Sequence, residues 1–91
     1  MPSTEAADCI LCGAPTSRRW RDQQDRGSYR YRCATCGGRY VITADALDQL
    51  RRGMPDTAEL LATARSQIQA GTLPRVVTKG GRQWVEPAGR Q

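Results

Sequence analysis

An α+β fold is predicted by three features of this 91-residue sequence. Two Cys-x-x-Cys-Gly clips stand twenty residues apart, Cys9-Ile10-Leu11-Cys12-Gly13 and Cys33-Ala34-Thr35-Cys36-Gly37. Two stretches of β-forming residues follow from them: Ser28–Cys33, where Tyr29 and Tyr31 alternate with Arg30 and Arg32, and Gly38–Thr43, with Tyr40, Val41 and Ile42. Beyond Thr43 the pattern turns helical, with capping residues at the ends of two segments, before a last short hairpin.

The clips use every cysteine in the chain. Two cysteines separated by two residues bring both sulfurs to one side of a tight turn, and two such pairs make a tetrahedral four-thiolate metal site. Gly13 and Gly37 stand where a turn wrapped around a metal pushes the backbone toward positive φ, which costs a residue without Cβ nothing. Disulfides are the competing reading, but the opening residues Met1-Pro2-Ser3-Thr4-Glu5 lack the basic head and apolar stretch of a signal peptide. A redox Cys-x-x-Cys normally occurs once and near a strand-helix-strand pattern, whereas here it is duplicated. Cys9, Cys12, Cys33 and Cys36 are therefore read as the ligands of one structural Zn2+, with a single iron as the other ion that suits four thiolates.

In chain order, residues 1–8 are small and polar and read as a tail. Thr16–Asp22 and Ser28–Cys33 flank the polar turn Gln23–Gly27 as a hairpin leading into the second clip, and Gly38–Thr43 is a third strand. Residues 9–43 thus form a ribbon with a three-stranded antiparallel sheet. Thr43 is an N-cap for a helix over Ala44–Arg52, with Asp45 in its first turn, Arg51 and Arg52 in its last and Gly53 beyond. Asp56-Thr57-Ala58-Glu59 is a capping box opening a second helix to Ala70, closed by Gly71. Val76-Val77-Thr78, Lys79-Gly80-Gly81 and Arg82–Val85 give the hairpin, and Pro87–Gln91 reads as a tail. Residues 44–86 are expected to pack on the ribbon as one compact domain; the hairpin can dock on the helices, extend the sheet or order on a partner.

A clip, a hairpin, a second clip and a strand feeding a capped helix resemble the layout of small bacterial and phage zinc-ribbon proteins over residues 9–52. The four-cysteine knuckles are also similar to those of rubredoxins. What the resemblance implies is the metal-ligand role of Cys9, Cys12, Cys33 and Cys36, since zinc ribbons serve many processes. The rubredoxin likeness implies electron transfer, and against it six arginines lie between Arg18 and Arg32.

Composition limits the functions that remain. There is no histidine, all four thiols are committed and a four-ligand site leaves no open position for water or substrate, so an enzyme is not expected. The net charge of +5 falls to about +3 once four thiolates and a divalent ion are counted. Thirteen arginines accompany the single Lys79, which fits bidentate recognition of phosphate and equally fits a coding bias toward arginine. Arg18, Arg19, Arg21, Arg26, Arg30 and Arg32, interleaved with Trp20, Tyr29 and Tyr31, form the candidate nucleic-acid-binding segment. The bland alternative is that the tyrosines, with Tyr40, are core and the arginines a solvated face, Trp20 fitting either. A non-enzymatic nucleic-acid-binding zinc ribbon is thus one expectation. The other is a regulatory protein-interaction adaptor, or a small inhibitor of a nucleoprotein machine, using Trp84 and the terminal hairpin. Neither has a small-molecule substrate or a membrane partner. The expected setting is the cytoplasm, and self-association stays open.

Overall fold

The computed structural model describes residues 4–25, 27–53 and 57–91. Its elements are β1 (Glu5–Ala7), β2 (Ser17–Arg21), β3 (Ser28–Cys33), β4 (Gly38–Thr43), α1 (Ala44–Arg51), α2 (Ala58–Gln69), β5 (Thr72–Lys79) and β6 (Arg82–Arg90). The six strands form one mixed sheet in chain order. Every neighbouring pair is antiparallel except β4 and β5, where Val41 lies opposite Arg75 and Ile42 opposite Val76. The two helices are the crossover that a parallel pair requires. Among the described residues no helix is long and apolar enough to cross a membrane.

Local chemistry explains the element ends. Thr43 caps α1 as expected, its hydroxyl accepting from the Ala46 N–H at 3.2 Å. Arg51 sits in the last turn of that helix, where a cation opposes the negative end of the helix dipole. α2 begins at Ala58, and Thr57 makes no side-chain cap bond; the Asp56 end of the expected capping box lies outside the described residues. Gly80 and Gly81 join β5 to β6 with φ of 59° and 78°, the two positive values a tight type I′ hairpin turn demands.

Cross-strand partners share a sheet face, so the register sorts the side chains. Tyr31, Tyr40, Ile42 and Val76 point to one face, fully buried, against Ala46 and Leu47 of α1 and Ala64 and Ile68 of α2. Tyr31 and Tyr40 stack with ring centroids 5.1 Å apart and planes 7° from parallel. No helix packs on the opposite face among the described residues, yet Val41 there is only 2 % exposed. Its cross-strand neighbours are Arg30 and Arg75, long side chains whose aliphatic stems can cover apolar surface.

Three expectations are corrected. The sheet has six strands where three were expected, because the hairpin β5–β6 extends it from β4 and β1 adds an edge to β2. Residues 5–7, read as tail, pair antiparallel with Ser17–Arg19, and Glu5 meets its cross-strand partner Arg19 in an ion pair. Residues 87–90, also read as tail, belong to β6. Gln91 then pairs with Arg39 much as a strand would: Arg39 N–H donates to Gln91 Oε1 at 2.7 Å and Gln91 Nε2 donates to Arg39 O at 2.6 Å. Gly38 makes room for this, since a Cβ there would stand 2.6 Å from Gln91 Oε1 and 3.0 Å from Ile68 Cγ2.

Candidate functional site

The two clips form matching knuckles, one between β1 and β2 and the other between β3 and β4. Each closes with the glycine N–H on the carbonyl of the first cysteine, Gly13 to Cys9 at 2.8 Å and Gly37 to Cys33 at 3.0 Å. The glycines take φ of 76° and 89°, the left-handed conformation expected for them. Because β2 and β3 pair antiparallel, the knuckles meet at one end of the ribbon.

There the four sulfurs lie within 4.8 Å of one another. Cys9 and Cys36 are separated by 3.7 Å and Cys12 and Cys33 by 3.5 Å. A tetrahedron of thiolates around an ion at about 2.3 Å has edges of about 3.8 Å, so the spacing fits a shared ion. It is far beyond the roughly 2.05 Å of a disulfide. Cys9, Cys12, Cys33 and Cys36 can therefore hold one metal ion. Three of the four are buried and Cys12 faces solvent.

The sulfurs are surrounded by donors. Cys36 N–H donates to Cys33 Sγ at 3.4 Å. Tyr40 Oη accepts the Ile10 N–H at 3.1 Å, which leaves its own proton for Cys9 Sγ at 3.3 Å. Burial raises the Cys33 thiol, but the nearby buried Ser17 hydroxyl, the Cys36 N–H and the neighbouring thiols outweigh it and bring it to about 6. Burial pushes the Cys36 thiol up, and partial desolvation with a bond to Cys33 raises the more exposed Cys12. One sulfur of the cluster thus ionises readily, and the others give up protons when a cation arrives. Metal affinity accordingly falls as pH falls. From the helical side, Arg65 Nη1 donates to Leu11 O at 2.6 Å and ties α2 to the first knuckle.

Tyr40→Phe keeps the buried ring and removes the O–H directed at Cys9. Outer-shell partners of this kind are worth about 10- to 100-fold in metal affinity. That loss is the expected result in competition with a chromophoric chelator, with the far-ultraviolet circular dichroism of the loaded variant unchanged.

The candidate arginines divide between the two faces. Arg18 pairs with Arg32 and Arg32 with Arg39, all on the helix-free face; Trp20 pairs with Arg30 on that same face. Arg19 and Arg21 fall on the other, opposite Tyr31 and Tyr29. Their guanidinium groups lie over the half-buried Tyr29 ring at 5.5 and 5.7 Å, and Arg19 also pairs with Glu5. Arg26 lies outside the described residues. Of the aromatics read as core, Tyr31 and Tyr40 are fully buried and Tyr29 is not. Trp20 is half-buried on the helix-free face, where Trp84 also lies, opposite Val77 on the far side of the sheet.

Acids neutralise part of this face. Arg30 Nε is 3.3 Å from Asp22, and Arg75 meets Asp25 and Glu86. The Asp25 carboxyl is held below its ordinary range by the Ser28 hydroxyl and the Gly27 N–H, with Arg75 adding to them. Arg18, Arg32 and Arg39 meet no Asp or Glu side chain among the described residues. Arg18 donates to Thr4 Oγ1 at 3.0 Å and Arg39 to Gln91 O at 2.9 Å. Arg39 was absent from the sequence-based candidates, although period-two alternation from Tyr40 puts it on the arginine side.

Compared with family models, curated proteins and solved structures, the chain matches none.

Proposed function

We propose that this chain is a non-enzymatic zinc-ribbon binding module whose helix-free sheet face contacts the phosphates of nucleic acid. The observation that carries the reading is the row Arg18–Arg32–Arg39, three guanidinium groups on adjacent strands in direct cross-strand register with no Asp or Glu side chain among them. Like charges placed opposite each other destabilise a sheet. A solvated arginine face with no ligand would more naturally interleave acids, as Asp22 and Asp25 do for Arg30 and Arg75 a few residues away. A polyanion turns the same row from a cost into a gain. Neighbouring strands lie about 4.8 Å apart, so the row offers donors along a line that a phosphate backbone can follow.

The metal is structural in this reading. Zinc suits a closed set of four thiolates, has no redox chemistry and takes the tetrahedral arrangement without strain. It joins the knuckles and so fixes the register of β2, β3 and β4, on which the arginine row depends. A protein partner has less in its favour, because Trp84 lies across the sheet from the row and beside the acid Glu86, to which its Nε1 donates at 3.3 Å.

Binding of labelled single- and double-stranded oligonucleotides, followed by anisotropy over a range of salt concentrations, tests the reading. Affinity is expected to fall with a log-log slope of about 0.7 to 0.9 for each phosphate contacted. Undetectable binding at low ionic strength defeats it.

A further inference from the structure

Beside the arginine row the helix-free face carries a cleft of about 290 Å³, walled by Trp20, Asp22, Gln23, Gln24, Arg30 and Arg39. Trp20 is on the row of side chains next to Arg18, two residues along β2, a separation of about 6.8 Å. The cleft and the arginine row therefore fall within the reach of one nucleotide. We propose that the cleft receives a single unstacked base, lying on Trp20 while its flanking phosphates lie on Arg18, Arg32 and Arg39, so that the ligand is single-stranded nucleic acid.

Charge inside the cleft separates the two parts of the ligand. Asp22 is buried in its wall, at 5 % exposure, with Oδ1 accepting from Arg30 Nε at 3.3 Å and from the Gln24 N–H at 3.1 Å. That pair neutralises Arg30 and sets a fixed carboxylate where a phosphate would be repelled. An uncharged planar group meets no such penalty. The phosphates are thus directed to the row without acidic side chains and the base to the cleft. The pairing with Asp22 also holds Arg30 opposite Trp20, its cross-strand partner, so the floor of the cleft is a cation beside an indole ring. Gln23 and Gln24 bring two exposed side-chain amides to the rim, each able to donate to and accept from a base edge. The volume is close to the small end of the roughly 300–1,000 Å³ range for ligand pockets, room enough for one base. In a duplex the base faces are covered by their neighbours, so Trp20 gains a stacking partner only from a single strand.

The inference rests on the phosphate reading of the arginine row, and the following experiment separates their failures. In full-length, zinc-loaded Trp84→Phe protein, Trp20 is the only tryptophan. Adding a short mixed-sequence DNA or RNA strand is expected to quench its emission in parallel with binding seen by anisotropy. The single strand is expected to bind at least about tenfold more tightly than the matching duplex at equal salt. Trp20→Ala is expected to cost about ten- to hundredfold on the single strand and little on the duplex. Because that variant removes a half-buried ring, quenching in the Trp84→Phe background decides the matter even where Trp20→Ala folds poorly. Unchanged Trp20 emission at saturation, or duplex binding as tight as single-strand binding, overturns the cleft and leaves the arginine row standing. Loss of all oligonucleotide binding at low salt overturns both.

Discussion

Removing zinc from the loaded protein with a chelator at neutral pH is expected to unfold the whole described domain, with loss of far-ultraviolet circular dichroism in one transition and recovery when zinc is restored. The magnitudes decide this. A chain of this length has a total stability of about 5–14 kcal/mol, while structural zinc contributes on the order of 10 kcal/mol or more. The core shows why the loss spreads beyond the ribbon. Cys9, Leu11, Cys33 and Cys36 belong to the same buried cluster as Tyr31 and Tyr40, which continues without a break to Ala64 and Ile68 of α2 and Val76 of β5. With the ion gone, three buried thiols crowd together at one end of that cluster, and the side-chain hydrogen bonds left to tie down the first knuckle are those of Tyr40 to Cys9 and Ile10 and of Arg65 to Leu11. The core shared between the ribbon and the helices predicts one cooperative event. A dichroism spectrum that survives complete removal of the metal refutes the structural role given to it.

What the sequence could and could not show follows the range of the interactions. The knuckles, the Thr43 cap and the Gly80-Gly81 turn are local: each needs only residues within a few positions, and each was legible. The parallel pairing of β5 with β4 was not, because it joins Ile42 to Val76 across two helices and no short-range rule governs it. One hint was present. Val76 and Val77 are consecutive and both buried, on opposite faces, as happens in a strand inside a sheet and not in an isolated hairpin. The division of the arginines was half legible. Alternation assigned Arg30 and Arg32 to the face opposite Tyr29 and Tyr31, but the register of β2 depends on the turn Asp22–Gly27. A slip of one residue there would exchange Trp20 with Arg19 and Arg21. The turn is set by Asp25, whose carboxylate accepts from the Ser28 hydroxyl at 2.7 Å and the Gly27 N–H at 3.1 Å, a local motif whose effect on register is seen only once both strands are built. Nothing in residues 87–91 pointed to Gln91 binding Arg39, because a side chain that imitates a strand has no sequence pattern.

The second large effect concerns the arginine row, and it separates function from folding by having opposite signs on the two. Arg18→Gln together with Arg32→Gln is expected to leave the thermal midpoint unchanged or raise it, while weakening binding to nucleic acid more than about a hundredfold at low salt. On the stability side, Arg32 stands opposite both Arg18 and Arg39 and is exposed. Relieving like charges in direct register returns a few tenths of a kcal/mol to about 1 kcal/mol. On the binding side, a hydrogen bond to a charged group contributes about 1.5–3 kcal/mol, so each lost phosphate contact costs more than tenfold. The salt slope is expected to fall by about 0.7 for each contact removed from a single strand. Gln is shorter than Arg but keeps a polar amide and adds no repulsive charge, so a loss of affinity reports the missing cation. Arg39 is left in place because its backbone and guanidinium also hold Gln91. Were the double variant to bind as tightly as the parent, with the same salt slope, the row would be an ordinary solvated surface. An intact thermal midpoint with binding lost is the outcome a site maintained against its own electrostatic cost requires.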